Sequence, residues 1–223
     1  MRHKIIKYDT KKFPFVDIVS KWLDTDLSLL HNLYNTKTNN FGIGNDTVSD
    51  AHKTFYSKMD GPYGLNLITL YETFIKDVLI KDLNEPCYFQ STPGFRIASP
   101  GSVAVSSWHA DGDDTNLHPP GEINIFLPLT KCYGNNSMWI ESEPNKSDFH
   151  PVKLVIGEAY IFDGNNCVHG NYSNDTIHTR VSLDFRLMPK SLYNPDYPHV
   201  TATKKLSYVL GQYYSDFSSG DNN

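Results

Sequence analysis

The sequence predicts a mainly β protein, a double-sheet jelly roll with helices packed against one outer face. Three observations carry that prediction. The first third repeats apolar residues at three- and four-residue intervals, as amphipathic helices do. From about residue 86 the texture changes to short β-branched and aromatic runs separated by Gly, Pro, Asn and Asp. Several of those runs alternate apolar and polar residues, so their strands have two chemically different faces.

The helical signal comes first. VDIVSKWLDTDLSLLHNLY (16–34) and LNLITLYETFIKDVLIKDL (65–83) have helical periods, the second with Leu67, Leu70, Tyr71, Phe74, Val78 and Leu79 on one side. A shorter helix is expected around SDAHKTFYSKM. The strand candidates follow: CYFQS, GFRIAS, SVAVSSWHA, EINIFLPLT, SMWIES, VKLVI, EAYIFDG and TRVSLDFRLM. Helices followed by a run of short strands fit an antiparallel sandwich or barrel with helices outside it.

The direction of alternation carries more. In EINIFLPL, Ile123, Ile125, Leu127 and Leu129 form one face, and Glu122, Asn124 and Phe126 the other. In TRVSLDFRL, Val181, Leu183, Phe185 and Leu187 oppose Arg180, Ser182, Asp184 and Arg186, a wholly polar face. In SMWIES, Ser137, Trp139 and Glu141 share a side. For any one strand, water is the ordinary destination of a polar face. For several strands of one barrel, the polar faces can instead converge on a lined pocket while the apolar faces pack outside.

The chain has 223 residues, 39% hydrophobic and 13% aromatic, with 14 tyrosines. That length and composition predict one folded domain, 1–223: a helical part to residue 85, a jelly-roll core over 86–190 and an extension over 191–223, ending in a frayed polar tail, SSGDNN. The net charge of −5, with scattered Lys and Arg, lacks the basic stripe that nucleic acid requires. No apolar run of signal-peptide or membrane-spanning length appears, so a cytosolic protein is expected. Cys87, Cys132 and Cys167 are far apart and odd in number. They are read as reduced packing residues, not as disulfides or a zinc site.

The chemistry concentrates in SSWHADGDDTN (106–116). His109 and Asp111 are two residues apart on an expected strand, so both point to one side while Ala110 points away. Gly112 breaks that strand and leaves Asp113 and Asp114 in the loop as weaker ligand candidates. A third ligand must come from a later strand, and His169, in NNCVHGN, follows sixty residues on. Two histidines and one carboxylate on one face of an ion are the ligand set of non-haem Fe(II) oxygenases, with positions left open for cosubstrate and dioxygen. Zinc prefers a closed or nearly closed tetrahedral site. Eleven residues after His169 comes Arg180, then Ser182. The guanidinium fork suits one carboxylate of a dicarboxylate, and the serine hydroxyl adds a third hydrogen bond.

H-x-D, a distal His and R-x-S together resemble the Fe(II)/2-oxoglutarate-dependent dioxygenase superfamily, matched at His109, Asp111, His169, Arg180 and Ser182. The resemblance implies a double-stranded β-helix, the cupin-like jelly roll. It implies Fe(II) held by His109, Asp111 and His169, 2-oxoglutarate gripped by Arg180, dioxygen as co-reactant, and succinate and carbon dioxide as by-products. Over its second half the chain, with GEINIFLPLTKCYGNNSMWIES and HGNYSNDTIHTRVSLDFR, further resembles the StrG-type branch associated with streptomycin biosynthesis. That branch implies a small polar substrate of aminocyclitol, sugar or amino-acid type. Related halogenases replace the carboxylate ligand by a small residue, so Asp111 implies oxygenation. A metal-free binding module and a cupin-like metalloenzyme without 2-oxoglutarate are the alternatives.

Around this set, Asn124 is a candidate hydrogen-bond donor to the keto acid, Trp139 a candidate cavity wall, and Arg96 a candidate contact to a cosubstrate or substrate carboxylate. Arg186 is read first as a partner of Asp184. His118 is read as a solvent-facing loop residue and His178 as structural, and His150 has no partner at ligand spacing. His3, His31, His52 and His199 carry no assigned chemistry. Loops at 35–50, 112–121 and 190–203 are expected to shape the entrance.

Overall fold

The computed structural model describes residues 3–34, 49–104, 108–202 and 204–217. Most of the expected entrance loop at 35–50, residues 105–107 of the expected strand SVAVSSWHA and the SSGDNN tail therefore lie outside the described residues.

Strand β1 (Lys4–Lys7) precedes the helices α1 (Phe15–Leu23), α2 (Leu30–Leu33), α3 (Asp50–Met59), α4 (Gly64–Phe74) and α5 (Ile80–Leu83). The helix expected over 16–34 is broken. α1 stops at Leu23 because Asp24 takes the left-handed conformation (φ 50°). The Asp26 side chain then accepts the Ser28 N–H and starts a separate 3₁₀ turn, Leu27–Leu29, before α2. Aspartate tolerates both arrangements because its short carboxylate bonds nearby backbone N–H groups. The second expected helix is continuous from α4 to α5 through a π-helical turn, Ile75–Leu79, which keeps Leu67, Tyr71, Phe74, Ile75 and Leu79 buried.

The β region contains β2 (Cys87–Gln90), β3 (Gly94–Ala98), β4 (Ile123–Pro128), β5 (Trp139–Ile140), β6 (His150–Pro151), β7 (Glu158–Phe162), β8 (His169–Gly170), β9 (Arg180–Pro189) and β10 (Tyr214–Ser215). The larger sheet runs β1-β7-β4-β9-β2-β10, with β3 also pairing along β9, and the smaller sheet runs β6-β5-β8. Every pairing between these strands is antiparallel. The architecture is the expected double-stranded β-helix with helices against the larger sheet. Among the described residues no helix is long and apolar enough to cross a membrane.

Two short strands and one non-strand depart from the sequence reading. β1 is only KIIK, and it becomes a strand by pairing with β7 more than 150 residues away. β10 likewise exists through its pairing with β2. VKLVI is not a strand: within it only Leu154 forms a bridge, to Cys132, while Val155 and Ile156 are exposed. The pairing strand lies just before it, at His150–Pro151.

The two faces of β4 and β9 separate two cores, as their alternation predicts. Ile123, Ile125, Leu127 and Leu129, with Val181, Leu183, Phe185 and Leu187, join the core beneath the helices. Phe126 faces the other way, into a second core with Met138, Ile140 and Phe162. Phe185 anchors the first, its ring edge-on to Tyr71 at 4.8 Å and the residue 1% exposed. Phe185→Ala is expected to cost about 3–5 kcal/mol of stability, read as a lower denaturant midpoint at unchanged m-value.

Candidate metal centre

β8 carries His169, and directly opposite it lies His109. The two residues exchange both backbone hydrogen bonds, His109 N–H to His169 C=O at 3.0 Å and the reverse at 2.9 Å. This single bridge is what remains, among the described residues, of the strand expected around His109. Direct opposition sets the two imidazoles side by side, centroids 4.7 Å apart. Two residues on, the Asp111 N–H donates to Gly164 C=O at 2.8 Å, holding the carboxylate beside the rings. One ligand atom from each of His109, Asp111 and His169 can be chosen so that all lie within 4.8 Å of one another. Asp111 Oδ1 is 3.4 Å from His109 Nε2 and 3.9 Å from His169 Nε2.

The hydrogen bonds around these groups suit metal donors. His169 Nδ1 lies 3.0 Å from Cys167 C=O. A carbonyl only accepts, so Nδ1 carries the proton and Nε2 presents its lone pair to the centre. Burial, partly opposed by the Asp111 charge, lowers the His169 pKa to about 4, so the ring is neutral at physiological pH. Asp111 is 1% exposed. Burial alone would raise its carboxyl, but the Arg186 guanidinium, then His118 and His109, hold it well below the usual carboxylate range. Donors sharing one ion bonded at about 2.1 Å lie at most about 4.2 Å apart, and both carboxylate–imidazole separations fall within that span. The donor set fits a divalent ion with imidazole and carboxylate ligands.

The same cavity reaches Arg180. This guanidinium is 1% exposed, donates to Asn136 C=O at 3.2 Å and Ser182 Oγ at 2.9 Å, and sits 5.4 Å over the Phe126 ring. Among the described residues it forms no ion pair. Arg96, from β3, also lines the cavity, 3.8 Å from Asp184.

Several expected roles change. Arg186 does not pair with Asp184: it bonds Asp111 Oδ2 through Nε at 3.1 Å and Nη2 at 2.8 Å. The Asp184 carboxylate instead accepts from Ser182 Oγ at 2.8 Å. That commits the serine proton, so Ser182 orients Arg180, and it does not line the cavity. Asn124 lines the cavity as expected, and its amide also donates to Asp111 Oδ2 at 2.6 Å. Trp139 is not on the cavity wall. Alternation sends Met138 and Ile140 into the second core and leaves Trp139 on the opposite side against Tyr172. His118 is not solvent-facing: its Nδ1 lies 2.7 Å from the buried Glu122 carboxylate, which also accepts from Tyr214 Oη. His178 bonds the Tyr133 hydroxyl at 2.9 Å, a structural role. Asp113 caps its own loop by accepting the Thr115 and Asn116 N–H groups.

The sequence reading missed Asn171, buried on the cavity wall and bonded to Ser137 C=O at 3.0 Å. Its signal was parity, since it stands two residues beyond His169 in extended chain.

Fold and site together define a double-stranded β-helix protein with two imidazoles and a carboxylate gathered between its sheets. Two solved structures have this fold: the non-heme alpha-ketoglutarate-dependent carbocyclase SnoK from nogalamycin biosynthesis (TM-score 0.52, 12% identity, 84% of this chain and 79% of that one) and EctD from S. alaskensis (TM-score 0.55, 11% identity, 93% and 80%). No protein-family model matches the chain. At finer scale, the streptomycin biosynthesis protein StrG of Streptomyces griseus is 35% identical over 210 residues, 94% of this chain and 96% of the relative. The chain belongs to the StrG family.

Proposed function

We propose that residues 1–223 form an Fe(II)- and 2-oxoglutarate-dependent oxygenase that hydroxylates a small polar metabolite. The carrying observation is Arg180: a buried guanidinium without an ion pair among the described residues, facing the cavity that also holds His109 and His169. Such a charge is costly unless a ligand supplies the counter-ion. The far carboxylate of a keto acid is a fitting one, because the planar fork takes both its oxygens.

In this reading His109, Asp111 and His169 hold the iron and Arg180 binds the cosubstrate, its side chain oriented by Ser182 and Asn136. Iron held there would supply the oxidative chemistry by which dioxygen and 2-oxoglutarate give succinate, carbon dioxide and a hydroxylated substrate, one oxygen atom going to succinate and the other to the substrate C–H bond. Phe126, Met138 and Phe162 supply the dry wall that excludes water. Arg96 is the residue for a substrate carboxylate or other anionic group. The StrG relative, named for streptomycin biosynthesis, favours an aminocyclitol, sugar or amino-acid substrate.

Adding Fe(II) and 2-oxoglutarate without oxygen is expected to give the weak visible absorption of a chelated keto acid, lost in His169→Ala. In air, a panel of such metabolites should yield succinate and oxidised product in equal amounts. A folded protein that binds iron but develops no absorption with 2-oxoglutarate would overturn the cosubstrate assignment.

A further inference from the structure

Asp111 has two oxygens with different surroundings. Oδ1 faces the imidazoles, while Oδ2 receives three N–H groups: Asn124 Nδ2 at 2.6 Å, Arg186 Nη2 at 2.8 Å and Arg186 Nε at 3.1 Å. Sheet register produces this convergence. Asn124 on β4 and Arg186 on β9 are direct cross-strand partners, so their side chains leave the same face about 5 Å apart and reach one atom together. The Asn124 orientation follows from the chemistry, since a carboxylate oxygen accepts only and must meet the NH₂ end. A glycine makes room for that amide. A Cβ on Gly164 would lie 2.5 Å from both the Asn124 amide carbon and its nitrogen, and the Gly164 carbonyl is the one that holds the Asp111 N–H.

We infer that Arg186 and Asn124 are a positioning pair that makes Asp111 a one-oxygen ligand, an inference that rests on His109, Asp111 and His169 being the metal centre. A carboxylate with both oxygens free can swing to grip an ion through both and take an extra coordination position. Here Oδ2 is saturated, so that swing would break three hydrogen bonds. The consequence is an ion with as many open positions as three protein donors allow, which matters where a bidentate cosubstrate and dioxygen must both bind. Neither residue touches the reacting atoms; both act through Asp111.

Co(II) titration of the purified protein tests this without turnover or 2-oxoglutarate, so failure of the cosubstrate assignment appears in a different measurement. Asn124→Ala and Arg186→Met are each expected to weaken Co(II) binding by about ten- to a hundredfold, the usual cost of losing an outer partner of a metal ligand. They should also change the visible Co(II) band, which reports coordination number. Coulomb attraction alone predicts the opposite sign for Arg186→Met, because removing a nearby cation favours a bound cation. Gly164→Ala should reproduce Asn124→Ala by displacing the amide, and these two carry the test where Arg186→Met does not fold. Arg186→Lys, which keeps the charge but not the fork, should remain weaker than wild type. In an Asp111→Ala background, Arg186→Met should cause no further loss. Wild-type affinity and an unchanged band in Asn124→Ala and Gly164→Ala would overturn the inference. So would an Arg186→Lys variant as tight as wild type, or an equal loss with Asp111 already absent. A wild-type chain that takes up no Co(II) would overturn both the pair and the metal centre.

Discussion

Asp111→Ala is expected to lose Fe(II) affinity by at least about a hundredfold, the upper end of what even outer-partner changes cost. It should also destabilise the metal-free protein by about 3–5 kcal/mol. The two effects have separate causes. One donor of three is gone, and the Arg186 guanidinium, which burial disfavours and Asp111 holds protonated, is left without its counter-ion. A charge as nearly buried as Arg186, whose side chain is 15% exposed, costs more when stripped of its partner than the pair contributed, so Asp111→Ala/Arg186→Met should recover most of the stability and none of the metal. Urea midpoints and metal content after dialysis read the two quantities independently. A single variant as stable as wild type would mean that the pair adds nothing to the fold.

Arg180→Met is expected to show the reverse signature. It should lower 2-oxoglutarate affinity by about 2–5 kcal/mol, at least about thirtyfold, while Fe(II) content stays that of wild type. Because Arg180 has no ion pair among the described residues and burial already lowers its pKa, an apolar side chain of similar length should leave the metal-free protein equally stable or more so. Keto-acid titration of the anaerobic Fe(II) protein measures the first effect and thermal denaturation the second. Unchanged 2-oxoglutarate affinity would remove Arg180 from the cosubstrate site. A large drop in stability would give it a structural role instead.

Legibility of the site followed the periodicity of the strands. On β4 and β9 the alternation ran long enough to assign both faces, and Ile123 and Val181 lie under the helices while Asn124, Arg180 and Arg186 turn inward. β5 is two residues long, and there the polar side looked like the cavity side when Met138 was the residue that faced in. The partner of Arg186 was misread for a related reason. Asp184, two residues away on the same face, was the economical choice, but the neighbouring Ser182 hydroxyl engages it. The Asp111 carboxylate is delivered from 75 residues earlier. β1 and β10 have no internal signal at all, since each is a strand only through its partner.

By itself the sequence determined the β-rich architecture, the inward faces of its longest strands and the residue types of a two-histidine, one-carboxylate centre near an arginine. The first two are local, written in side-chain period, and the third joins one short spacing, His109 to Asp111, to a histidine sixty residues on. Tertiary structure alone decided which oxygen of Asp111 is free, what neutralises Arg186 and why Gly164 is a glycine. Each depends on contacts between segments distant in the chain, which cross-strand register brings to one place.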